Sequence, residues 1–78
     1  MPHFYFHLHN DLEALDPEGR DLPDLAAARD AATRAVRELA AETVAEGRLN
    51  LGHFVEVADG AGEPLFRVAF GDVITITE

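Results

Sequence analysis

The chain contains no cysteine, no lysine and no tryptophan. Without cysteine, neither a disulfide nor a thiolate-bound metal can hold the fold together. With 78 residues there is room for one modest core, and chains of this size often gain stability from oligomerisation or a bound ligand. We therefore expect a single domain over residues 1–78 that gains stability by self-association. A bound metal or ligand is the alternative source of that stability.

Positive charge is scarce. Six arginines stand against fifteen acidic residues, so the formal net charge is −9. Nucleic-acid affinity is built largely from basic contacts to phosphates, and no basic patch is present. The composition therefore predicts no direct binding of nucleic acid. A basic protein is the partner that such a charge would attract.

Long apolar runs are also missing, and none approaches the roughly 20 residues that span a bilayer. The opening MPHFYFHLHND has neither a charged leader nor a long apolar stretch, so we expect no signal peptide. Together these absences predict a cytoplasmic protein that does not associate with membranes.

Residues 3–9 alternate strictly between the two sides of a strand. Phe4, Phe6 and Leu8 fall on one side, whereas the histidines and Tyr5 fall on the other. A period of two with aromatic enrichment is typical of a half-buried strand. An acidic loop follows, in which Asp16-Pro17-Glu18-Gly19 fits a type I turn exposed to solvent.

A helix is predicted over residues 25–46. Asp24 is a suitable N-cap and Gly47 a suitable residue just past the C-terminus. Apolar and small side chains recur between them at spacings of three and four, as expected for the buried stripe of a helix. These residues are Leu25, Ala28, Ala32, Ala35, Val36, Leu39 and Thr43.

Residues 53–58 and 65–70 are predicted to form a hairpin, followed by a tail, 73–77, that is either a further strand or a bent continuation. The favoured register places Glu56 opposite Arg67, because opposite charges stabilise cross-strand pairs. The same register pairs Ala58 with Leu65 and puts His53 on the core side. The sequence thus predicts an α+β fold of order β-α-β-β: a small, mostly antiparallel sheet with one long helix packed on one face.

One helix can cover only one face of that sheet. The other face is too apolar to be only solvated, which is typical of a contact surface. We call it the open face, and we expect a homo-oligomer to form through it. Its predicted interface residues are Tyr5, His7, Phe54, Glu56, Leu65, Arg67 and Ala69.

His7 and His9 are the only candidates for a metal site. Residues two apart on a strand share a face about 7 Å apart, so both imidazoles can reach one ion. A tetrahedral site needs three or four ligands, and a third would have to come from Asp11, Glu56 or another subunit. Polar residues on an open sheet face explain the pair as well, so we predict no metal and no cofactor.

Three blocks of the sequence resemble a family of short bacterial proteins known as a domain of unknown function. They are MPHFYFHLHND, DPEGRDLPDLAAARDAA and GRLNLGHFVEVADGAGEPLFRVAFGDVI, which together cover most of the chain. The resemblance implies no activity, cofactor or catalytic residue. Phe54 departs from the family pattern, in which a basic residue is more usual after His53.

No catalytic motif is present, neither a nucleophile elbow nor a phosphate loop nor a dinucleotide fingerprint. The sequence therefore predicts a non-catalytic, self-associating interaction or regulatory module. Two alternatives stay open: a small-molecule or metal-binding protein that uses the open face, and an acidic, antitoxin-like partner of a basic protein.

Overall fold

The computed structural model describes residues 1–10 and 13–77, and within them the chain folds as an α+β protein. The predicted β-α-β-β order is confirmed in its main elements, and the loop after the first strand adds two short strands. In chain order the elements are β1 (His3–His9), β2 (Glu13–Ala14), β3 (Arg20–Asp21), α1 (Leu25–Ala45), β4 (Phe54–Asp59), β5 (Pro64–Ala69) and α2 (Phe70–Val73).

The five strands form one antiparallel sheet in the order β2–β1–β4–β5, and β3 also pairs with β1. β4 runs along one edge of β1. The other edge is shared by β2, which pairs near Leu8, and β3, which pairs near Phe4. The acidic loop is therefore more than the solvated turn that the sequence predicts, because it folds back along β1.

Both ends of α1 are fixed by the residues predicted for them. The Asp24 carboxylate accepts a hydrogen bond of 2.8 Å from the N–H of Ala27, as an N-cap does. Gly47 has φ +85°, and beyond it the N–H of Arg48 donates to the Thr43 carbonyl at 2.9 Å. This is the Schellman arrangement, which satisfies carbonyls that the helix end leaves unpaired.

The buried stripe of α1 is rotated slightly from the predicted one. Leu25 is 50% exposed and Leu39 lies at the border of the core. Alanine side chains let a helix approach a sheet closely. Four residues after Val36, it is Ala40 that is buried against the sheet, whereas Leu39 is only partly buried. The fully buried helix residues are Ala28, Ala32, Val36 and Ala40.

The β4–β5 hairpin has the predicted register over most of its length. A bulge between Val57 and Ala58 shifts the turn end, so that Ala58 lies opposite Pro64 rather than Leu65 as predicted. A bulge inserts one extra residue into a strand, and that residue is left without a cross-strand partner. The pairs common to prediction and structure are Phe54 with Ala69, Val55 with Val68, Glu56 with Arg67, and Val57 with Phe66.

The prediction of a strand for the tail is wrong. Phe70 leaves the sheet and begins α2, a single turn in which its ring is 1% exposed in the core, and residues 74–77 belong to no strand. The N–H of Phe70 still donates to the carbonyl oxygen of His53, the residue just before β4, at 2.8 Å. The N–H of Ala69 points the other way and donates to Asp72 Oδ2 at 2.9 Å. Asp72 thus holds the bend at the outer edge of the sheet.

No helix in residues 1–10 and 13–77 combines the length and apolar character required to cross a membrane.

Candidate functional site

The open face is defined by the side chains opposite those that pack under α1. Directly paired residues of an antiparallel sheet share a face, so Tyr5 lies with Ala58, His7 with Glu56, and His9 with Phe54. β5 adds Arg67 and Ala69 to the same surface. The core-facing neighbours Val55, Val57 and Val68 are buried, which confirms the assignment of the two faces.

Aromatic rings form a row along the β1 part of the open face. The Tyr5 ring meets His3 edge-on, with 5.0 Å between ring centroids. On its other side it lies nearly parallel to the His7 ring, at 6.1 Å and 6°. Alternation in the sequence places these three rings on one side of the strand, and the structure brings them into contact.

Phe54 lies between a ring and a cation. The His9 ring stacks on it at 4.7 Å and 16°, and the Arg67 guanidinium lies 4.7 Å from its centroid. Glu56 is opposite Arg67 in the confirmed register, yet no ion pair of Arg67 occurs among the described residues. The cation therefore covers the Phe54 ring instead of forming an ion pair with Glu56.

The turn after β2 reaches the β1 half of the open face. The N–H of Asp16 donates to His7 Nδ1 at 3.0 Å, and His3 contacts both Asp21 and Glu18. These contacts leave His3, Tyr5 and His7 half-buried. Leu65, predicted for this face, is 42% exposed, but the bulge leaves it without a cross-strand partner that would assign it to the open face.

Asp16 is the residue that holds this turn, and sequence reasoning missed its role. Its carboxylate accepts from the N–H of Phe6 on β1, and from those of Glu18 and Gly19 within the turn, at 3.0–3.1 Å. Partial burial favours the neutral carboxyl, but the three donors outweigh it and lower the pKa of Asp16. The Asp-Pro turn signal predicts the two local bonds, whereas the bond to β1 has no signature in sequence.

The two candidate metal ligands are engaged by the loop that pairs with β1. His7 Nδ1 accepts from Asp16, and His9 Nδ1 lies 3.3 Å from Glu13 Oε1. Across the described ranges, no three His, Asp or Glu side chains are grouped so that they could hold a metal. Of the third ligands proposed from this chain, Glu56 lies opposite His7 in the β1–β4 register, and Asp11 lies outside the described residues.

His53 lies just before β4 rather than within it. Its side chain is half-buried, and its ring meets the Phe70 ring edge-on at 5.6 Å. The core-side position predicted for it is consistent with this contact, which joins the start of β4 to the end of the hairpin.

A surface groove of about 460 Å³ lies on the helix side, between α1 and β3. Its charged lining consists of Arg20, Asp30, Arg34 and Glu38. The two signs balance, so the groove favours no ligand charge. The open face is the better candidate for a functional surface.

The comparisons with known proteins identify the family but no activity. The model of the family described as Domain of unknown function (DUF6894) matches residues 3–71, and the chain belongs to this family. No curated protein and no solved structure matched the chain. The matched segment contains β1 to β5 and therefore the whole open face.

Proposed function

We propose that this member of the DUF6894 family is a non-catalytic module of the cytoplasm that associates with a second copy of itself through the open face. The observation that supports this proposal is an aromatic sheet face, poor in charge, on a chain whose net charge is −9. Such a surface is costly to leave in water, and α1 covers only the opposite side.

Charge favours a second copy over a basic partner at this surface. On β4 and β5 the open face carries one acid, Glu56, and one arginine, Arg67, so this part of the face is close to neutral. By contrast, β2 and β3 add Glu13 and Asp21 beside the β1 histidines. Two molecules of like charge approach each other most easily where the charge of each is lowest. A basic partner would instead dock where the carboxylates are concentrated in the sequence, on the loop between β1 and α1.

The energetics are compatible with a modest dimer. Burying apolar surface contributes about 25 cal/mol per Å², so a few hundred Å² per copy offset part of the cost of association. Phe54, which is half-buried, is the large apolar side chain of the open face on β4. Arg67 is already positioned over the Phe54 ring, so little of its side-chain freedom remains to be lost.

Light scattering of the wild type and of Phe54→Glu tests the proposal. The wild type should be a dimer or larger closed assembly at high micromolar concentration, and Phe54→Glu should be monomeric but folded by circular dichroism. Leu25→Glu is the control: it also replaces a large apolar side chain by glutamate, but at a 50% exposed position where acids favour the helix dipole.

Added salt should strengthen the assembly, because it screens the mutual repulsion of two strongly acidic chains. A strictly monomeric wild type contradicts the proposal. An oligomer that Phe54→Glu and Leu25→Glu weaken equally, or that neither changes, places the interface elsewhere.

The alternative of a small-molecule ligand is favoured by one observation, the near-parallel rings of Tyr5 and His7 on the same face. A planar molecule could stack on such a row. Purified protein with an absorption band beyond that of its single tyrosine would support this candidate, whereas a colourless, metal-free dimer supports self-association.

A further inference from the structure

The contacts of His3 require a particular protonation state. Its Nδ1 lies 2.7 Å from Asp21 Oδ1, and its Nε2 lies 2.8 Å from the carbonyl oxygen of Glu18. Both oxygens can only accept a hydrogen bond, whereas a neutral imidazole has one N–H to donate. Only the imidazolium form makes both bonds at once, so this arrangement is that of a charged His3.

The residues around His3 favour its charge. Its hydrogen bond to Asp21 raises the pKa of His3 most, followed by the bond to the Glu18 carbonyl, and these outweigh the opposing effect of desolvation; the negative charges of Asp21 and Asp16 also raise it. Two uncharged groups also lie beside it: the edge of the Tyr5 ring, 5.0 Å between centroids, and Gly60 of the β4–β5 turn.

We propose that residues 16–21 form a clamp that protonated His3 holds closed over the Tyr5 end of β1, and that the clamp opens when His3 loses its proton. The neutral ring can keep only one of its two bonds, and β3 is only two residues long, so it has little pairing of its own with β1. Opening uncovers the Tyr5 ring and frees the N–H of Phe6 on the β1 edge.

The direction of the effect follows from linkage. Since the closed clamp raises the pKa of His3 above its ordinary value of 6.5, closure is favoured below that value and weakens as pH rises through the pKa of the closed state. The open-to-closed ratio should increase about tenfold for each unit by which the clamp raises that pKa. The proposal concerns β1 and its loop, so it holds whether or not the open face mediates self-association.

Nuclear magnetic resonance on the full chain measures both the pKa of His3 and the equilibrium between the closed and the open clamp. The ring protons of His3 give its pKa, and hydrogen exchange of the amides that donate to Asp16, those of Phe6, Glu18 and Gly19, gives the opening equilibrium. As pH rises through the His3 titration, the protection of these amides, corrected for intrinsic exchange, should fall. The fall should be about tenfold for each unit by which the measured pKa of His3 exceeds its ordinary value. The Gly52 amide, which donates to Asn50 Oδ1 at 2.9 Å and is far from the clamp in the sequence, should keep its protection.

Two variants separate the clamp from general unfolding. His3→Gln should abolish the pH dependence of protection, and Asp21→Asn should bring the pKa of His3 closer to its ordinary value. Glu46→Gln is the control for Asp21→Asn. It also converts an exposed carboxylate in a 2.7 Å ion pair to an amide, but at the end of α1, so the pKa of His3 should not change.

The proposal is overturned if His3 titrates at or below 6.5, if protection does not follow its titration, or if His3→Gln keeps the same pH dependence. It is also overturned if the amide of Val57, in the centre of the core, loses protection in parallel, because the whole fold would then be opening.

Discussion

Replacing Asp16 by alanine removes the group that attaches the acidic loop to the sheet. Three backbone N–H groups lose their acceptor, of which those of Phe6 and Gly19 are partly buried and that of Glu18 is exposed. A hydrogen bond contributes about 0.5–1.5 kcal/mol net, more when one partner is charged and less when water can replace it. We therefore expect Asp16→Ala to lower the free energy of unfolding by about 2–3 kcal/mol, or roughly 10–20 °C in Tm for a domain of this size.

Urea denaturation at neutral pH and fixed protein concentration measures this loss. Asp16→Asn keeps one carbonyl oxygen and should fall between wild type and Asp16→Ala. Asp30→Ala is the control for net charge, because Asp30 is an exposed helix residue and forms no ion pair among the described residues. An Asp16→Ala loss below about 0.5 kcal/mol, or equal to that of Asp30→Ala, refutes the claim that Asp16 holds the loop.

Asp16 also makes the free energy of unfolding depend on pH, and the direction follows from its lowered pKa. Because folding lowers its pKa, its contribution is complete above the ordinary value of 3.8 and is lost as pH falls through the pKa of the folded state. Acidification below that value should therefore destabilise the wild type more steeply than Asp16→Ala. Parallel curves for the two proteins would show that this carboxyl is not the responsible group.

Two further substitutions test the packing, both by denaturant melts. Gly19→Ala should cost more than Gly62→Ala: both glycines have positive φ, but a Cβ at Gly19 would lie 2.5 Å from a β1 carbonyl oxygen, whereas Gly62 has no neighbour within 4 Å. Equal costs would mean that the turn does not pack on β1. Val36→Ala should cost about 1.5–3 kcal/mol, more than Leu39→Ala although it removes fewer atoms, because Val36 is 0% exposed and Leu39 is at the border of the core. The opposite order would show that Leu39 lies in the core, as the sequence predicts.

The features that sequence predicts well are those that local physics decides. Strict alternation of side chains specifies the two faces of β1, because neighbouring residues of a strand point to opposite sides. Asp24 and Gly47 set the limits of α1 by satisfying its unpaired backbone groups. The β4–β5 register is predicted from facing charges and apolar pairs, although Arg67 contacts Phe54 rather than Glu56 in the folded chain.

The features that sequence does not predict depend on contacts between distant residues. Asp16 bonds to Phe6 across ten residues, and His3 to Asp21 across eighteen, so no local pattern marks either pair. The β-branched tail is typical of a strand, but Asp72 accepts the N–H of Ala69 and turns the chain away first. Tertiary contacts override local propensity in each case.

The outer edge of β5 has a consequence for solubility. An exposed strand edge is a template on which other chains can add, and fibrous aggregates grow in this way. Here the edge begins with Pro64, carries a charge at Arg67, and has its last donor, the N–H of Ala69, already engaged by Asp72. Because β2 and β3 pair along the other edge of β1, the addition of further strands meets an obstacle on both sides of the sheet.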